Sequence, residues 1–229
     1  MIDERQEEIL NKIIQEYIEL AQPVSSQLLE KKYDFGICPA TIRIEMQKLT
    51  DKGYLYQPHT SAGRIPTDRG YRFFVDRLLE KELESFKMED WFNDETEDTI
   101  KFIQSLTKKL AVASRSLILS YLEKERIFWK DGWEEILKEP EFRDGDYIVN
   151  FTEFLENFEK SIEDFKINSG IRIYIGRENP FKKAKDFSII SFKCCLPERE
   201  EAILSILGPK RMDYDRNINL INSLIKMLE

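Results

Sequence analysis

The feature that most restricts the possible fold is residues 38–55, whose polar and apolar side chains separate onto two sides of a short helix. The apolar residues recur at intervals of four and three positions, at Ile42, Met46 and Leu49. Pro39 suits the first turn of this helix, and Gly53 suits its end. The outward residues are Ala40, Thr41, Arg43, Ile44, Gln47 and Lys48. Small, hydrogen-bonding and cationic side chains suit base edges and phosphates in a DNA major groove, so the pattern predicts a recognition helix.

The next segment, residues 57–76, predicts a wing beside that helix. Its tip combines small side chains with one cation, in the order Thr60, Ser61, Ala62, Gly63 and Arg64. Such a tip lets the backbone approach DNA closely, where it follows phosphates or enters a minor groove. Thr67 is a suitable N-cap for another helix after Pro66. Apolar residues continue that helix at Tyr71, Phe74, Val75 and Leu78.

Two more helices are predicted before the recognition helix. The first has an apolar face made of Ile9, Leu10, Ile13, Ile14, Tyr17 and Ile18. The second, with Ser25 or Ser26 as its cap, stops before Gly36. Three helices joined by tight turns, followed by a strand over residues 54–56, predict a winged helix-turn-helix domain in residues 1–78.

The charge is distributed unevenly along the chain. The net charge of −8 disfavours contact with nucleic acid by the protein as a whole. Residues 38–77 differ, because they contain seven Lys or Arg and four Asp or Glu residues, a local charge of +3. Residues 78–100 reverse the balance, with nine acidic residues against two lysines. This change predicts a domain border, with an acidic linker and helix over residues 79–114.

The C-terminal half alternates between strand and helix patterns. Strands are predicted at residues 117–122, 126–129, 171–175, 188–196 and 202–207. Helical spacing occurs over residues 218–228 and at Phe151, Phe154, Leu155, Phe158, Ile162 and Phe165. The order predicts an α+β domain with an antiparallel sheet and flanking helices. Gly208 and Pro209 are predicted to form a turn, beside which Arg211 and Asp213 pair.

The composition argues against catalysis and against membrane insertion. His59 is the single histidine, and the chain has no glycine-rich phosphate loop. Cys38, Cys194 and Cys195 form neither a metal-ligand spacing nor a disulfide framework, so we expect no metal and no cofactor. Apolar stretches are shorter than the roughly 20 residues of a membrane helix, and the acidic start is unlike a signal peptide. We expect a cytoplasmic protein that is not an enzyme.

Several strings in the chain resemble the heat-inducible transcription repressors called HrcA. In the N-terminal part they are PATIR at 39–43, GYL at 53–55, QPHTSAGR at 57–64, PTD at 66–68 and GYRF at 70–73. In the C-terminal part they are PEF at 140–142, IG at 175–176, EN at 178–179 and GPKRMDY at 208–214. The second group resembles the regulatory domain of that family, which is related to the GAF fold. The resemblance therefore implies a reduced GAF-like domain in residues 115–229.

The resemblance also implies a function. The family's members are homodimeric repressors of heat-shock chaperone genes that bind an inverted-repeat operator in double-stranded DNA. Their active folding depends on the chaperonin, so heat occupies the chaperonin with other clients and releases transcription. The residues that match the family's DNA-contacting region are Thr41, Arg43 and Gln47 in the groove and His59, Thr60, Ser61 and Arg64 on the wing. The outward Ile44 and Lys48 complete the set of predicted DNA-binding residues.

This chain departs from the family pattern at four places. Ile44 replaces a usual Asn on the groove face, where contact with a thymine methyl group is an alternative. Cys38 replaces a usual Ser at the helix start, and Gln27 replaces an Arg suited to phosphate. Family members also carry roughly a hundred more residues, including a dimerisation domain, in the region that corresponds to residues 111–131. This insert is expected to be absent here.

Two alternative functions follow from these departures. A winged-helix module that binds another protein, without operator recognition, is favoured by Ile44, by the acidic total charge and by the shortened dimerisation region. A repressor that senses a small ligand through the GAF-like half is the other alternative. Dimerisation itself could use the C-terminal sheet, the helix near residues 102–110, or the DNA.

Overall fold

The computed structural model describes residues 2–81, 91, 98–163, 170–196 and 200–228. The chain divides into two compact units, Met1–Lys81 and Glu82–Glu229, and each is described by itself. Fifteen residues of the predicted acidic linker and helix, 82–90 and 92–97, lie outside the described residues, as does Phe165 of the predicted helical stripe.

The first unit has the element order predicted for residues 1–78. Its elements are α1 (Glu4–Leu20), α2 (Ser26–Lys32), α3 (Pro39–Asp51), β1 (Leu55–Tyr56), β2 (Ile65–Pro66) and α4 (Asp68–Leu79). β1 and β2 form an antiparallel pair. The N-caps at Ser25 and Thr67 are confirmed, because each side chain accepts a backbone N–H from the first turn of its helix. Cys38 is the N-cap of α3, but its side chain makes no capping hydrogen bond.

Buried apolar faces hold the helices of this unit together. Ile9, Leu10, Ile13 and Ile14 of α1 are fully buried, as are Ile42 and Leu49 of α3. Burying one such side chain contributes about 1.5–3 kcal/mol. Polar contacts then fix the helix positions. Glu45 of α3 accepts from Gln6 Nε2 at 2.8 Å, and Glu16 of α1 accepts from Tyr33 at 2.6 Å. Burial first, and then this bond to Glu16, raises the pKa of Tyr33 to about 12.

The second unit is an α+β domain built on a five-stranded sheet. Its helices are α5 (Thr99–Ser114), α6 (Trp133–Ile136), α7 (Gly145–Ser161) and α8 (Tyr214–Leu228). Its strands are β3 (Leu117–Leu122), β4 (Ile127–Asp131), β5 (Ile171–Ile175), β6 (Phe187–Cys195) and β7 (Glu201–Pro209). The strand order is β4-β3-β7-β6-β5, and all neighbours are antiparallel. The predicted antiparallel sheet is therefore confirmed.

Helices cover both faces of this sheet, an arrangement consistent with a GAF-like domain. On one face, α7 buries aromatic rings against the strands, and the rings of Phe154 and Phe187 stack with centroids 5.2 Å apart. On the other face, Thr107 of α5 lies 2.6 Å from Ser120, hydroxyl to hydroxyl. The hydroxyl of Tyr214 in α8 similarly lies 2.7 Å from that of Ser188. The helix of the predicted linker segment, α5, thus packs as part of the second unit.

Residues 111–131, all of them described, form the end of α5, strand β3, a four-residue turn and strand β4. The chain passes from α5 into β3 through two residues only. This short path agrees with the expectation that the family insert is absent from this region.

Two predictions for residues 208–214 need correction. Gly208 and Pro209 continue β7 and pair with β6, so the turn begins at Pro209, whose carbonyl oxygen accepts from the Met212 N–H at 2.9 Å. Arg211 does not pair with Asp213. Instead its guanidinium donates to Glu141 at 2.6 and 2.9 Å and also to Glu139. Burial opposes the charge of Arg211, but the bonds to these two carboxylates outweigh it and raise its pKa. The fold brings two segments about 70 residues apart together, which spacing along the chain does not reveal.

Candidate nucleic-acid interface

The predicted recognition helix, α3, buries one side and exposes the other. Arg43, Gln47 and Lys48 are exposed, and Ile44 is 55% exposed. Thr41 is half-buried, and its hydroxyl lies 3.4 Å from Cys38 Sγ. The helix therefore presents the predicted outward residues, with a large apolar side chain in their midst.

A groove runs between α3, the start of α2 and the loop that joins β1 to β2. We call it the α3 groove, and its volume is about 670 Å³. It is lined by Ser25, Ser26, Gln27, Arg43, Ile44, Met46, Gln47, Gln57, Thr60, Ser61, Ala62, Gly63 and Arg64. Six of the nine predicted DNA-binding residues thus share one concave surface. Thr41, Lys48 and His59 are not among the lining residues.

The loop of the β1–β2 hairpin is held by its own chain. Gln57 Nε2 donates to the carbonyl oxygens of Thr60 at 2.9 Å and Ala62 at 2.8 Å. His59 Nδ1 lies 3.1 Å from the Ser61 hydroxyl, and both side chains are exposed. These contacts fix the loop shape that was predicted to form a wing tip.

A backbone bridge attaches the hairpin to the connection between α1 and α2. Val24 and Arg64 exchange two backbone hydrogen bonds, at 2.9 and 2.8 Å. Gly63 is needed for this approach, because a Cβ at that position would lie 2.3 Å from the Val24 carbonyl oxygen. The small size of Gly63, which the sequence suggested serves contact with DNA, is therefore required by the protein's own packing.

Gly63→Ala is expected to destabilise the first unit by about 1–3 kcal/mol, since the added methyl group forces the hairpin away from Val24. Urea unfolding followed by circular dichroism measures this change. Gly145→Ala is the control, because a Cβ there meets nothing within 4 Å. The explanation would be wrong if both variants unfolded at the same urea concentration.

Arg64 occupies a different place from the one predicted. It is only 7% exposed, so its guanidinium lies inside the unit rather than on the outside of a wing tip. Nε donates to the Thr50 hydroxyl at 3.0 Å, and Nη2 donates to Gln47 Oε1 at 2.8 Å. Burial, followed by the charge of Arg43, lowers the pKa of Arg64. Among the described residues, its hydrogen-bond acceptors are neutral groups, which is unusual for a buried cation.

The polar groups at the middle of α3 are connected to neighbours on both sides. Gln47 accepts from Arg64 and donates from Nε2 to Asp51 Oδ1 at 2.8 Å. Lys48 donates to Glu45 Oε1 at 2.8 Å. This bond, together with the bond from Gln6, lowers the pKa of Glu45. The orientation of Gln47 is therefore determined by two side chains that the sequence pattern did not connect with it.

Arg43 differs from the other cations of residues 38–77. Six of the seven have a hydrogen bond or an ion pair inside the unit, namely Lys48, Lys52, Arg64, Arg69, Arg72 and Arg77. The side chain of Arg43 has neither with any residue that the structure describes. It is also exposed and lines the α3 groove. A guanidinium in this position is available for an external anion.

Three features of the groove were missed in the sequence. Ser26 and Gln57 line it, and Val24 holds the β1–β2 hairpin in place through its bridge to Arg64. Gln27, noted only as a departure from the family, lines it as well. Nothing in the periodicity of residues 23–27 indicates these roles, since they depend on where the hairpin returns to the helices.

No cluster of His, Cys, Asp or Glu among the described residues could hold a metal ion. Within the same part of the chain, no helix is long and apolar enough to cross a membrane.

Comparison with known proteins gives consistent matches. The family model "HrcA protein C terminal domain" matches residues 68–218. The "Heat-inducible transcription repressor HrcA" of Thermodesulfovibrio yellowstonii is 25% identical, over 100% of this chain and 97% of that protein. The protein of that name from Natranaerobius thermophilus is 29% identical, over 98% of this chain and 95% of its own length. The relative from Carboxydothermus hydrogenoformans is 51% identical over 117 residues, which are 51% of this chain and 34% of that protein.

The alignments also agree with the expectation that this chain is shorter than other members of the family. The Thermodesulfovibrio yellowstonii alignment extends over 338 positions, 109 more than the 229 residues of this chain. A solved structure titled "Crystal structure of a hypothetical protein at 2.2 A resolution" has a TM-score of 0.84 and 23% identity, and it covers 100% of this chain and 98% of that one. At this identity it shows the fold alone. Because the family model covers more than half of the chain, the protein belongs to the HrcA family.

Proposed function

We propose that the protein is a transcriptional repressor whose first unit is a winged helix-turn-helix domain that binds double-stranded DNA. The observation that carries this proposal is the α3 groove, in which the exposed face of α3 meets the loop of the β1–β2 hairpin. Helix and wing placed on one surface are the elements with which such domains contact a major groove and the adjacent backbone. The names of the relatives, which are heat-inducible transcription repressors, support the same function.

The electrostatics of the groove favour an anionic partner. Arg64 is a nearly buried cation bonded to neutral acceptors, and Arg43 beside it is exposed without an ion pair among the described residues. Each guanidinium raises the positive potential at the other, and Arg43 is the second cause, after burial, of the lowered pKa of Arg64. A DNA phosphate entering the groove would relieve this repulsion and replace hydration of Arg43 with a charge-assisted hydrogen bond.

Base recognition is assigned to the exposed residues of α3. Arg43 is suited to guanine, and Gln47 is suited to adenine through its amide. Ile44, which is 55% exposed, offers an apolar contact to a thymine methyl group. Thr60 and Ser61 are assigned to the DNA backbone, since they lie on the opposite side of the same groove.

The remaining parts of the proposal concern assembly and regulation. We infer a homodimer on an inverted-repeat operator of heat-shock chaperone genes, because two-fold symmetric sites match two recognition helices about one helical turn apart or a multiple of it. Control through chaperonin-dependent folding is inferred from the family. Sedimentation with and without operator tests the dimer, and a monomer that stays monomeric on DNA would contradict it.

Fluorescence anisotropy with an inverted-repeat duplex and a scrambled duplex tests operator binding. The inverted repeat is expected to bind about 10³-fold more tightly than the scrambled duplex, with affinity falling steeply as salt increases. Equal affinity for the two duplexes would contradict the proposal of a sequence-specific repressor. It would favour a protein-interaction module that uses the exposed Ile44 instead, and a pull-down with chaperonin would then be informative.

Arg43→Ala is expected to weaken binding to the inverted repeat by about 1–3 kcal/mol and to relax discrimination at one base pair. The reason is that Arg43 is exposed on the groove face and its side chain has no hydrogen bond or ion pair with the described residues. Anisotropy titrations with single-base variants of the operator measure both effects. Lys31→Ala removes the same charge from an exposed position outside the groove and is expected to change affinity little. Equal losses in both variants would reduce the role of Arg43 to general electrostatics.

A further inference from the structure

The second unit contains a cavity that the DNA-binding proposal does not use. It lies where the connection from β5 to β6 passes α7, and its volume is about 620 Å³. The lining residues are Asn150, Gly176, Arg177, Asn179, Phe181, Lys183, Ala184, Lys185 and Asp186. Ligand sites for small molecules commonly have volumes of about 300–1,000 Å³. The size of this cavity is therefore that of a binding site for a small organic molecule.

Asn179 holds part of the lining of this cavity together. Its Nδ2 donates to the carbonyl oxygens of Gly176, Ala184 and Phe187, at 2.9, 3.3 and 3.0 Å. Because all three partners are carbonyls, the orientation of the amide is determined. These three bonds tie Gly176, Ala184 and Phe187 to one side chain, so this part of the lining is held in place before a ligand enters.

The charge of the lining is positive in an acidic protein. Arg177, Lys183 and Lys185 line the cavity together with one carboxylate, Asp186, whereas the chain as a whole has a net charge of −8. Lys183 forms an ion pair with Glu153 of α7 at 3.5 Å. Both Lys183 and Lys185 are exposed. Three cations around one opening lower the energy of a bound anion, most of all of a phosphate group.

An apolar wall completes the cavity. The ring of Phe181 lies against Phe158 of α7, with centroids 5.0 Å apart and the rings nearly perpendicular. Lining by an aromatic ring and several cations suits a molecule with one apolar face and one anionic group. We propose that this cavity binds a phosphorylated small molecule, the class to which nucleoside phosphates and sugar phosphates belong. Every lining residue belongs to the second unit.

Isothermal titration of the full chain with AMP and with ribose 5-phosphate, in low salt and without DNA, tests the proposal. At least one of the two is expected to bind with a Kd below about 1 mM. Adenosine and ribose, which lack the phosphate, are expected to bind at least about tenfold more weakly, because they bring no negative charge to the cations of the lining. Absence of binding by both phosphorylated probes overturns the proposal, and so does equal binding of the probes that lack phosphate.

Two charge-reversal variants locate the site. Lys185→Glu changes a lining residue and is expected to weaken binding of the tighter probe by at least about fivefold. Lys182→Glu makes the same change three positions earlier, at an exposed residue that is not among the lining residues, and is expected to change the Kd less than about twofold. Circular dichroism confirms that both variants fold. Equal weakening in both variants would mean that the phosphate binds a diffuse charged surface and would overturn the assignment to this cavity.

Discussion

Arg64→Ala is expected to lower affinity for the inverted-repeat duplex by at least about tenfold and to destabilise the first unit by about 2–3 kcal/mol. Two hydrogen bonds from a charged donor are lost, to Thr50 and to Gln47. Gln47 is then held by Asp51 alone, so the side chain assigned to base recognition loses its orientation. Anisotropy and urea unfolding measure the two effects on the same preparation.

Arg64→Lys separates orientation from charge. A lysine retains the positive charge near the groove but cannot make both bonds with the fixed geometry of a guanidinium. We therefore expect it to bind the scrambled duplex as the unmodified protein does and to lose affinity for the inverted repeat. Arg72→Ala is the matched control, because Arg72 forms a surface ion pair with Asp76 at 3.5 Å and does not line the groove. Full operator affinity in Arg64→Lys would show that only the charge matters.

Arg211→Ala is expected to destabilise the second unit by about 3 kcal/mol. The Arg211 side chain is 8% exposed and bonds to two carboxylates, which lose their partner together and are left to repel each other. Glu139 and Glu141 are about a quarter exposed, so water relieves part of this penalty and the loss stays at the lower end of the range for buried pairs. The fall in the urea midpoint measures it.

Arg216→Ala is the control for this prediction. Arg216 lies in the same part of the chain and pairs with Asp213 at 3.7 Å, but both side chains are about a third exposed or more. Its loss is expected to change stability by less than about 0.5 kcal/mol. If the two variants were equally stable, the cluster of Arg211 with Glu139 and Glu141 would not hold the second unit together.

Local features of both units could be predicted because neighbouring residues determine them. Ser25 and Thr67 cap helices through bonds that span three residues. Ile42, Met46 and Leu49 lie on one side of α3 for the same reason, since helical spacing alone aligns them. The five strands of the sheet were likewise predicted within a few residues of their limits.

Contacts between distant residues could not be predicted in this way. The Arg64 side chain is long enough to point either into solvent or towards α3. The backbone bridge to Val24 holds Arg64 where its side chain bonds to Gln47 of α3. Arg211 was paired with Asp213 because that carboxylate is close in sequence, whereas the fold offers two better-placed carboxylates about 70 residues away. The sequence pattern therefore predicts the positions of charged side chains poorly, because their partners depend on tertiary structure.

The bridge between Val24 and Arg64 has a consequence for the way in which DNA would be recognised. A hairpin fastened to the helices by two backbone hydrogen bonds moves with them as one body. The entropy of ordering it is lost during folding of the protein and not during complex formation. Adjustment of shape then falls on the duplex, so the stiffness of operator base pairs that no side chain touches becomes part of the selection.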